Sequence, residues 1–197
     1  MKSSTIAITL FALFLLSSFM SHLSSATADF VVDTDGEAMQ NGGTYYILPV
    51  FRGKGGGIER VTTGNESCPL TVVQSRVEIE IGLPIRIASP LRIANIYEGL
   101  ILNLTFTNGP SCSPTPSKWT IVKGLPEGLA IKLPGYNNIL SGWFKIEKAS
   151  LNYKLVFCIR ASDTCRDVGI SIDDVGIRRL VLVTNNDPLI VRFKKGA

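Results

Sequence analysis

After residue 28 no stretch of the chain carries apolar residues at helical spacing, and that absence constrains the fold more than any single motif. What recurs instead are short runs of β-branched, aromatic and aliphatic residues. They fall at 44–50, 58–62, 71–74, 77–81, 101–106, 119–122, 129–133, 143–148, 153–158, 168–172, 180–183 and 189–193, with Pro84-Ile85-Arg86-Ile87 as a further extended piece. Turn residues separate them, as at Asn41-Gly42-Gly43 and in the Pro-rich Ser113 to Ser117. Many short strands between such turns predict an antiparallel barrel or sandwich. No exact repeat is present, yet the strands divide into three groups of roughly four, which leaves a threefold barrel open.

Residues 1–28 follow a different rule. One basic residue, Lys2, precedes an apolar run from Ile6 to Met20, and Ala26-Thr27-Ala28 supplies small residues at the end. This is the pattern of a secretory signal peptide, and the apolar run is shorter than the roughly 20 residues that span a bilayer. Cleavage after Ala28 leaves residues 29–197, a length suited to one domain, with no membrane segment in the mature form.

Lys and Arg number 20 against 16 Asp and Glu, and they are scattered; Arg178-Arg179 and Lys194-Lys195 are the doublets. A nucleic-acid surface needs a clustered basic face, so nucleic acid is not an expected partner. Cys68, Cys112, Cys158 and Cys165 all lie beyond the leader and should form two disulfides in an oxidising compartment. Three connectivities are open; Cys158 and Cys165 are close enough to close a small hairpin loop, which favours that pair and leaves Cys68 with Cys112. In the loop-entropy account the two bridges contribute about 2.5 and about 4 kcal/mol.

The single histidine, His22, lies in the leader. Without histidine or a free thiol, Ser-His-Asp and Cys-His nucleophilic sites are excluded, and no metal or cofactor is expected. Glu78 and Glu80, expected on one face of a strand at 77–81, and Asp173-Asp174 are the remaining acid/base candidates; a solvated strand face explains the glutamates better. Gly55-Gly56-Gly57 lacks the GxxxxGK[ST] context of a phosphate loop and reads as flexible surface loop. Asn65-Glu66-Ser67 and Asn103-Leu104-Thr105 are N-glycosylation acceptor patterns, Asn103 on the outward face of its strand.

Against this background the stretch Ser89-Pro90-Leu91-Arg92-Ile93-Ala94-Asn95-Ile96 stands out. It sets a long basic side chain in a short, Pro-braced, extended segment, which a protease can bind as a substrate it does not easily finish cutting. Arg86 also precedes an isoleucine, but its setting reads as strand.

Several stretches together resemble the plant Kunitz-type (legume trypsin inhibitor) family. They are Val31-Val32-Asp33-Thr34-Asp35-Gly36-Glu37-Ala38-Met39, Asn41-Gly42-Gly43-Thr44-Tyr45-Tyr46, Cys68-Pro69-Leu70-Thr71-Val72-Val73-Gln74, Leu125-Pro126-Glu127-Gly128, Tyr153-Lys154-Leu155-Val156-Phe157-Cys158 and Gly169-Ile170-Ser171-Ile172-Asp173. The resemblance runs over essentially all of 29–195. It implies an all-β fold, a β-trefoil of six barrel strands capped by three hairpins, and the pairs Cys68–Cys112 and Cys158–Cys165. It also implies a reactive peptide bond between Arg92 and Ile93, flanked by Ser89, Pro90, Leu91, Ala94 and Asn95, with Asn41 bracing the loop from within.

The expected activity is then inhibition of a trypsin-like serine protease by a monomer with no catalytic residue of its own, secreted to the extracellular space or the vacuole. The segments 107–111 and 113–117 around Cys112 depart from the family pattern, which bears on the choice of protease. Two other classes are a non-inhibitory storage or defence protein, and an inhibitor of another hydrolase, such as a cysteine protease or amylase, through a different loop.

Overall fold

The computed structural model describes residues 28–112, 116–162, 164–184 and 187–196; the leader expected at 1–28 lies almost wholly outside them, as do residues 113–115 of the Pro-rich segment. The described chain is built from strands: β1 (Thr44–Pro49), β2 (Ile58–Val61), β3 (Thr71–Gln74), β4 (Ile85–Ala88), β5 (Asn103–Phe106), β6 (Thr120–Leu125), β7 (Gly128–Lys132), β8 (Ile139–Leu140), β9 (Gly142–Ala149), β10 (Asn152–Ile159), β11 (Cys165–Ile172), β12 (Arg178–Val183) and β13 (Ile190–Lys195). Side chains alternate across a strand, so the sequence period of two becomes a burial period of two. In β4, Ile85 and Ile87 face the core and Arg86 faces solvent; in β5, Leu104 and Phe106 are buried.

The pairings close a ring. β1 pairs with β4 and β13, β4 with β5, β10 with β9 and β13, and the Leu102–Phe144 bridge joins the β5 segment to β9. Six strands, β1, β4, β5, β9, β10 and β13, thus form a barrel without a free edge. The other strands pair as three hairpins, β2–β3, β6–β7 and β11–β12, with β8 alongside β6. β3, β7 and β12 pair with one another, so the hairpins meet as a triangle over one end of the barrel. A six-stranded barrel capped by three hairpins is a β-trefoil.

One apolar cluster fills the barrel and runs under the cap. Its aromatic part is a chain of offset and edge-on contacts, Phe106 to Trp119 at 5.7 Å, Trp119 to Phe144 at 6.0 Å and Phe144 to Phe157 at 5.0 Å between ring centroids. Such pairs contribute about 0.5–1.5 kcal/mol each beyond their buried area. Fully buried Tyr45, Ile47 and Phe193 fix β1 against β13.

Two expectations fail, and for one physical reason. Residues 77–81 are no strand: the Glu80 amide donates to the Val77 carbonyl at 3.1 Å and closes a turn, and Val77, Ile79 and Ile81 are exposed. Gly55, Gly56 and Gly57 are buried rather than a flexible surface loop. Gly56 donates to Ser75 at 2.8 Å and Gly57 to Glu80 at 2.7 Å. A Cβ on Gly56 would run into the Val77 and Glu80 carbonyls, and one on Gly57 into the Ile81 carbonyl. The glycines admit a backbone approach that no side chain permits, and the segment they receive folds into a turn. Glu78 and Glu80 therefore share no strand face.

Candidate functional site

The segment from Ser89 to Asn95 leaves β4 at the barrel end opposite the cap. Its two ends are fixed in the core by Ile87 and Ile96, both fully buried. On one side Gly42 donates to the Ile87 carbonyl at 2.8 Å and Ile87 to the Gly43 carbonyl at 3.0 Å; on the other, Asn41 donates to Ala94 at 2.8 Å and Ile96 to Met39 at 2.8 Å. The chain just before β1 thus forms the floor of the loop.

That floor is a tight turn. Gly43 donates to the Gln40 carbonyl at 3.0 Å, with Asn41 and Gly42 in the central positions and Gly42 at φ +81°. A positive φ at the second central residue alone defines a type II turn and calls for glycine there. Arg86, exposed on β4, donates from Nε to the Gly42 carbonyl at 3.2 Å, which places that arginine in a structural role at the turn.

The turn aims the Asn41 side chain into the loop. Oδ1 accepts from the Ser89 amide at 2.8 Å, and Nδ2 donates to the Leu91 and Ile93 carbonyls, both at 3.1 Å, with the Ser89 carbonyl at 3.5 Å. An amide has two N–H donors, and the two shorter contacts use both. The carbonyls on either side of Arg92 are therefore drawn inward by one side chain. Asn41 serves as turn former and cross-loop donor at once.

The loop is not simply extended. Ile93 donates to the Leu91 carbonyl at 3.0 Å, a three-residue turn centred on Arg92. The Leu91 oxygen accepts two bonds, one per lone pair, so the turn and the Asn41 tie reinforce each other. Ser89 is buried and its Oγ accepts from the Leu91 amide at 3.3 Å. Pro90, Leu91, Arg92 and Ala94 are exposed, Ile93 and Asn95 half-buried, and the Arg92 guanidinium makes no hydrogen bond or ion pair among the described residues. A fixed backbone presents a free cation.

Cys68–Cys112 and Cys158–Cys165 are bonded. The first, with a sequence separation of 44, encloses the whole loop; the second joins β10 to β11 across the directly paired positions. Asn65 lies exposed in the turn before Cys68, and Asn103 opens β5 half-buried opposite Ala88.

A second constellation was not foreseen in the sequence. Where the hairpins of the cap meet, the Lys132 ammonium, with 4% of its side chain exposed, donates to Thr71 Oγ1 at 2.7 Å and to Glu66 Oε1 at 3.0 Å, with Glu127 at 3.6 Å. Arg179 bridges Glu127 at 3.2 Å and Asp173 at 2.7 Å, and the Tyr136 hydroxyl donates to Glu66. Burial alone would raise the Glu66 pKa, but bonds from Tyr136, Thr71, Thr63 and Lys132 outweigh it and hold the carboxyl below its usual range. Burial, then the same carboxylate, pushes the Tyr136 phenol up. Asp173 is held down chiefly by Arg179. Each charge is paired, so the cluster is a clasp between hairpins and leaves no base free to act. Among the described residues no group of histidine, cysteine or carboxylate side chains could hold a metal ion.

Comparison with known proteins follows the same lines. The profile of the legume Kunitz family, described as trypsin and protease inhibitor, matches residues 31–195. A Kunitz-type trypsin inhibitor of Glycine max is 50% identical over 195 residues, 94% of each chain. Trypsin inhibitor 1A of Psophocarpus tetragonolobus is 44% identical over 169 residues, 84% of this chain and 96% of its own. Among solved structures, soybean trypsin inhibitor is 48% identical with a TM-score of 0.79, covering 85% of this chain and 100% of that one. The same inhibitor in complex with porcine pancreatic trypsin gives 47% identity and a TM-score of 0.79 over 86% and 100%. Closed barrel, triangular cap and likeness along nearly the whole chain agree, and the chain belongs to the legume Kunitz family of trypsin and protease inhibitors.

Proposed function

We propose that the protein is a secreted inhibitor of trypsin-like serine proteases that binds as a slow, reversible substrate, with Arg92–Ile93 as the reactive bond. It is not an enzyme; its family is one of inhibitors. The observation that carries the assignment is the Asn41 side chain tied to the carbonyls of Leu91 and Ile93, on both sides of an exposed arginine.

In this reading Arg92 enters an acidic specificity pocket, where a guanidinium makes charge-assisted, bidentate bonds. The loop arrives already ordered, so little conformational freedom is lost on docking. Enzyme attack on the Arg92 carbonyl carbon would release the Ile93 amine as leaving group. That amine stays in place, because Asn41 holds the Ile93 and Ala94 carbonyls while the same residue holds Ser89 and Leu91 on the acyl side. Religation then competes with release, and Cys68–Cys112 keeps the two pieces of a cut chain together.

The leader at 1–28 and the two disulfides support passage through an oxidising secretory route, with 29–197 as the mature domain and Asn65 and Asn103 as acceptors for glycans. Titration against trypsin tests the assignment. Arg92→Ala removes a desolvated charge pair and should weaken inhibition by between about 30-fold and about 5,000-fold, with unchanged thermal unfolding. Equal inhibition by the variant would remove Arg92 from the site.

A further inference from the structure

The side chain that ties the loop is also a labile one. Asn41 precedes Gly42, and an asparagine followed by glycine loses its side-chain amide readily, because no Cβ on the next residue hinders ring closure by its nitrogen. The turn leaves no alternative at that position. Gly42 stands at φ +81°, and a Cβ there would come within 3.1 Å of the Arg86 guanidinium. The turn that aims Asn41 into the loop therefore also makes it reactive.

In the intact protein both reacting groups are engaged. The nucleophile is the Gly42 nitrogen, and its N–H is donated to the Ile87 carbonyl at 2.8 Å. The leaving group is Nδ2, which donates to the Leu91 and Ile93 carbonyls at 3.1 Å each, while Oδ1 accepts from the Ser89 amide at 2.8 Å. The Gly43 bond to Gln40 and the Asn41 main-chain bond to Ala94 fix the backbone around them. For the nitrogen to reach Cγ, the side chain must leave the loop. Its three bonds, at ordinary net strength, make that departure roughly 10²-fold rarer than in an open chain. A second Asn-Gly pair, Asn108–Gly109, has both residues exposed and serves as an internal standard.

We propose that Asn41–Gly42 is a deamidation site held silent by the closed loop and released when the loop is cut. The release rests on the assignment of Arg92–Ile93 as the reactive bond. In the step itself the Gly42 nitrogen gives its proton to solvent and bonds to Asn41 Cγ, the Cγ–Nδ2 bond breaks, and ammonia leaves. Water then opens the cyclic imide, at Cγ to give aspartate or at the main-chain carbonyl carbon to give isoaspartate. Amide and water become carboxylate and ammonium, with no change of oxidation state.

Either product is the wrong group for the loop. A carboxylate sets an acceptor against the Leu91 and Ile93 carbonyls, which need donors. Isoaspartate also lengthens the main chain inside the turn. Religation requires the two sides of the cut to be held together, so a cut chain can be restored only while Asn41 keeps its amide. Deamidation makes the cut final.

Peptide mass spectrometry at pH 8, with enzymatic methylation to mark isoaspartate, tests this on the intact chain, the chain cut by trypsin and freed of enzyme, and the reduced chain in urea. In the intact chain Asn41 should lose its amide roughly 10²-fold more slowly than in urea, and Asn108 should differ far less. Cutting should speed loss at Asn41 about tenfold or more and leave Asn108 unchanged. Aged cut chain returned to catalytic trypsin should regain intact chain only in proportion to the Asn41 still unconverted, and Asn108→Ser should behave as wild type. An intact chain that deamidates at Asn41 as fast as in urea overturns the protection, and a cut chain that keeps Asn41 overturns the release. Failure of trypsin to cut between Arg92 and Ile93 refutes the inhibitory assignment and the release with it, whereas the protection stands or falls on the intact chain against urea alone.

Discussion

Replacing Asn41 tests the inhibitory mechanism more sharply than replacing Arg92, because it changes the fate of the bound loop rather than its recognition. The wild-type amide makes three good bonds, at 2.8, 3.1 and 3.1 Å. At a net contribution of about 1 kcal/mol each, they favour the closed loop by about 3 kcal/mol. Asn41→Ala removes all three, and the equilibrium between cut and intact chain should move toward the cut form by roughly 10²-fold. The turn itself keeps its Gly43-to-Gln40 bond and Gly42 keeps its φ, so global unfolding should change far less.

Asn41→Asp separates bracing from simple bulk. The carboxylate keeps the acceptor for the Ser89 amide, but it sets a second acceptor where two carbonyl oxygens need a donor. At neutral pH the variant should be cut at least as readily as Asn41→Ala. Protonation below about pH 4 returns one O–H donor, and part of the resistance should return with it. The assay is incubation with a catalytic amount of trypsin, followed by reduction, mass measurement of the fragments and sequencing from Ile93. If Asn41→Asp outlasts wild type at pH 8, the amide does not hold the loop and the account of religation fails. Should urea midpoints fall in step with the cleavage rates, the effect is global and the brace is again refuted.

The clasp between the cap hairpins yields two further outcomes. Lys132→Met strands Glu66 without its cation, while Glu127 keeps Arg179, and should cost about 3–5 kcal/mol, a drop of roughly 10 °C in melting temperature, readable by calorimetry. Trypsin inhibition by the folded fraction should be untouched. For Glu66 the folded pKa lies below the unfolded one, so its ionised form stabilises the fold at pH above the ordinary glutamate value of about 4.3. That stability is lost as pH falls through the depressed value. Urea midpoints should therefore fall between pH 5 and pH 2, and Glu66→Gln should lower the pH 7 midpoint while flattening this acid limb.

What could be read from the sequence is whatever local geometry dictates. Ile85-Arg86-Ile87 alternates in sequence and in burial, because the period of a strand belongs to the strand. Residues 77–81 carry the same alternation and fold into a turn, since a strand also needs a partner edge, and here the glycine run uses the Ser75 and Glu80 carbonyls instead. β8, two residues long, offered no period to detect. Glu66, Lys132 and Arg179 meet from three distant hairpins, and nothing near any of them announces the others. Asn41 was visible only through family likeness; by local chemistry it is an ordinary turn asparagine, and its reach to Ser89 and Ile93 is a product of the barrel.

Under the proposed assignment of Arg92, the placement of the loop lets specificity change while the fold does not. Ile87 and Ile96 are buried, and Met39 and Gly43 hold the strands beside them, so the ends of the loop are set by the core. Between those ends Asn41 bonds only to main-chain groups, of Ser89, Leu91, Ile93 and Ala94. None of these contacts reads the side chain of residue 92. A substitution there alters what the enzyme pocket meets, but the braced backbone that presents it persists. Arg92→Leu should for this reason be as stable as wild type and as resistant to completed cleavage, with its inhibition transferred from basic-specific proteases to those whose pocket takes a large apolar side chain.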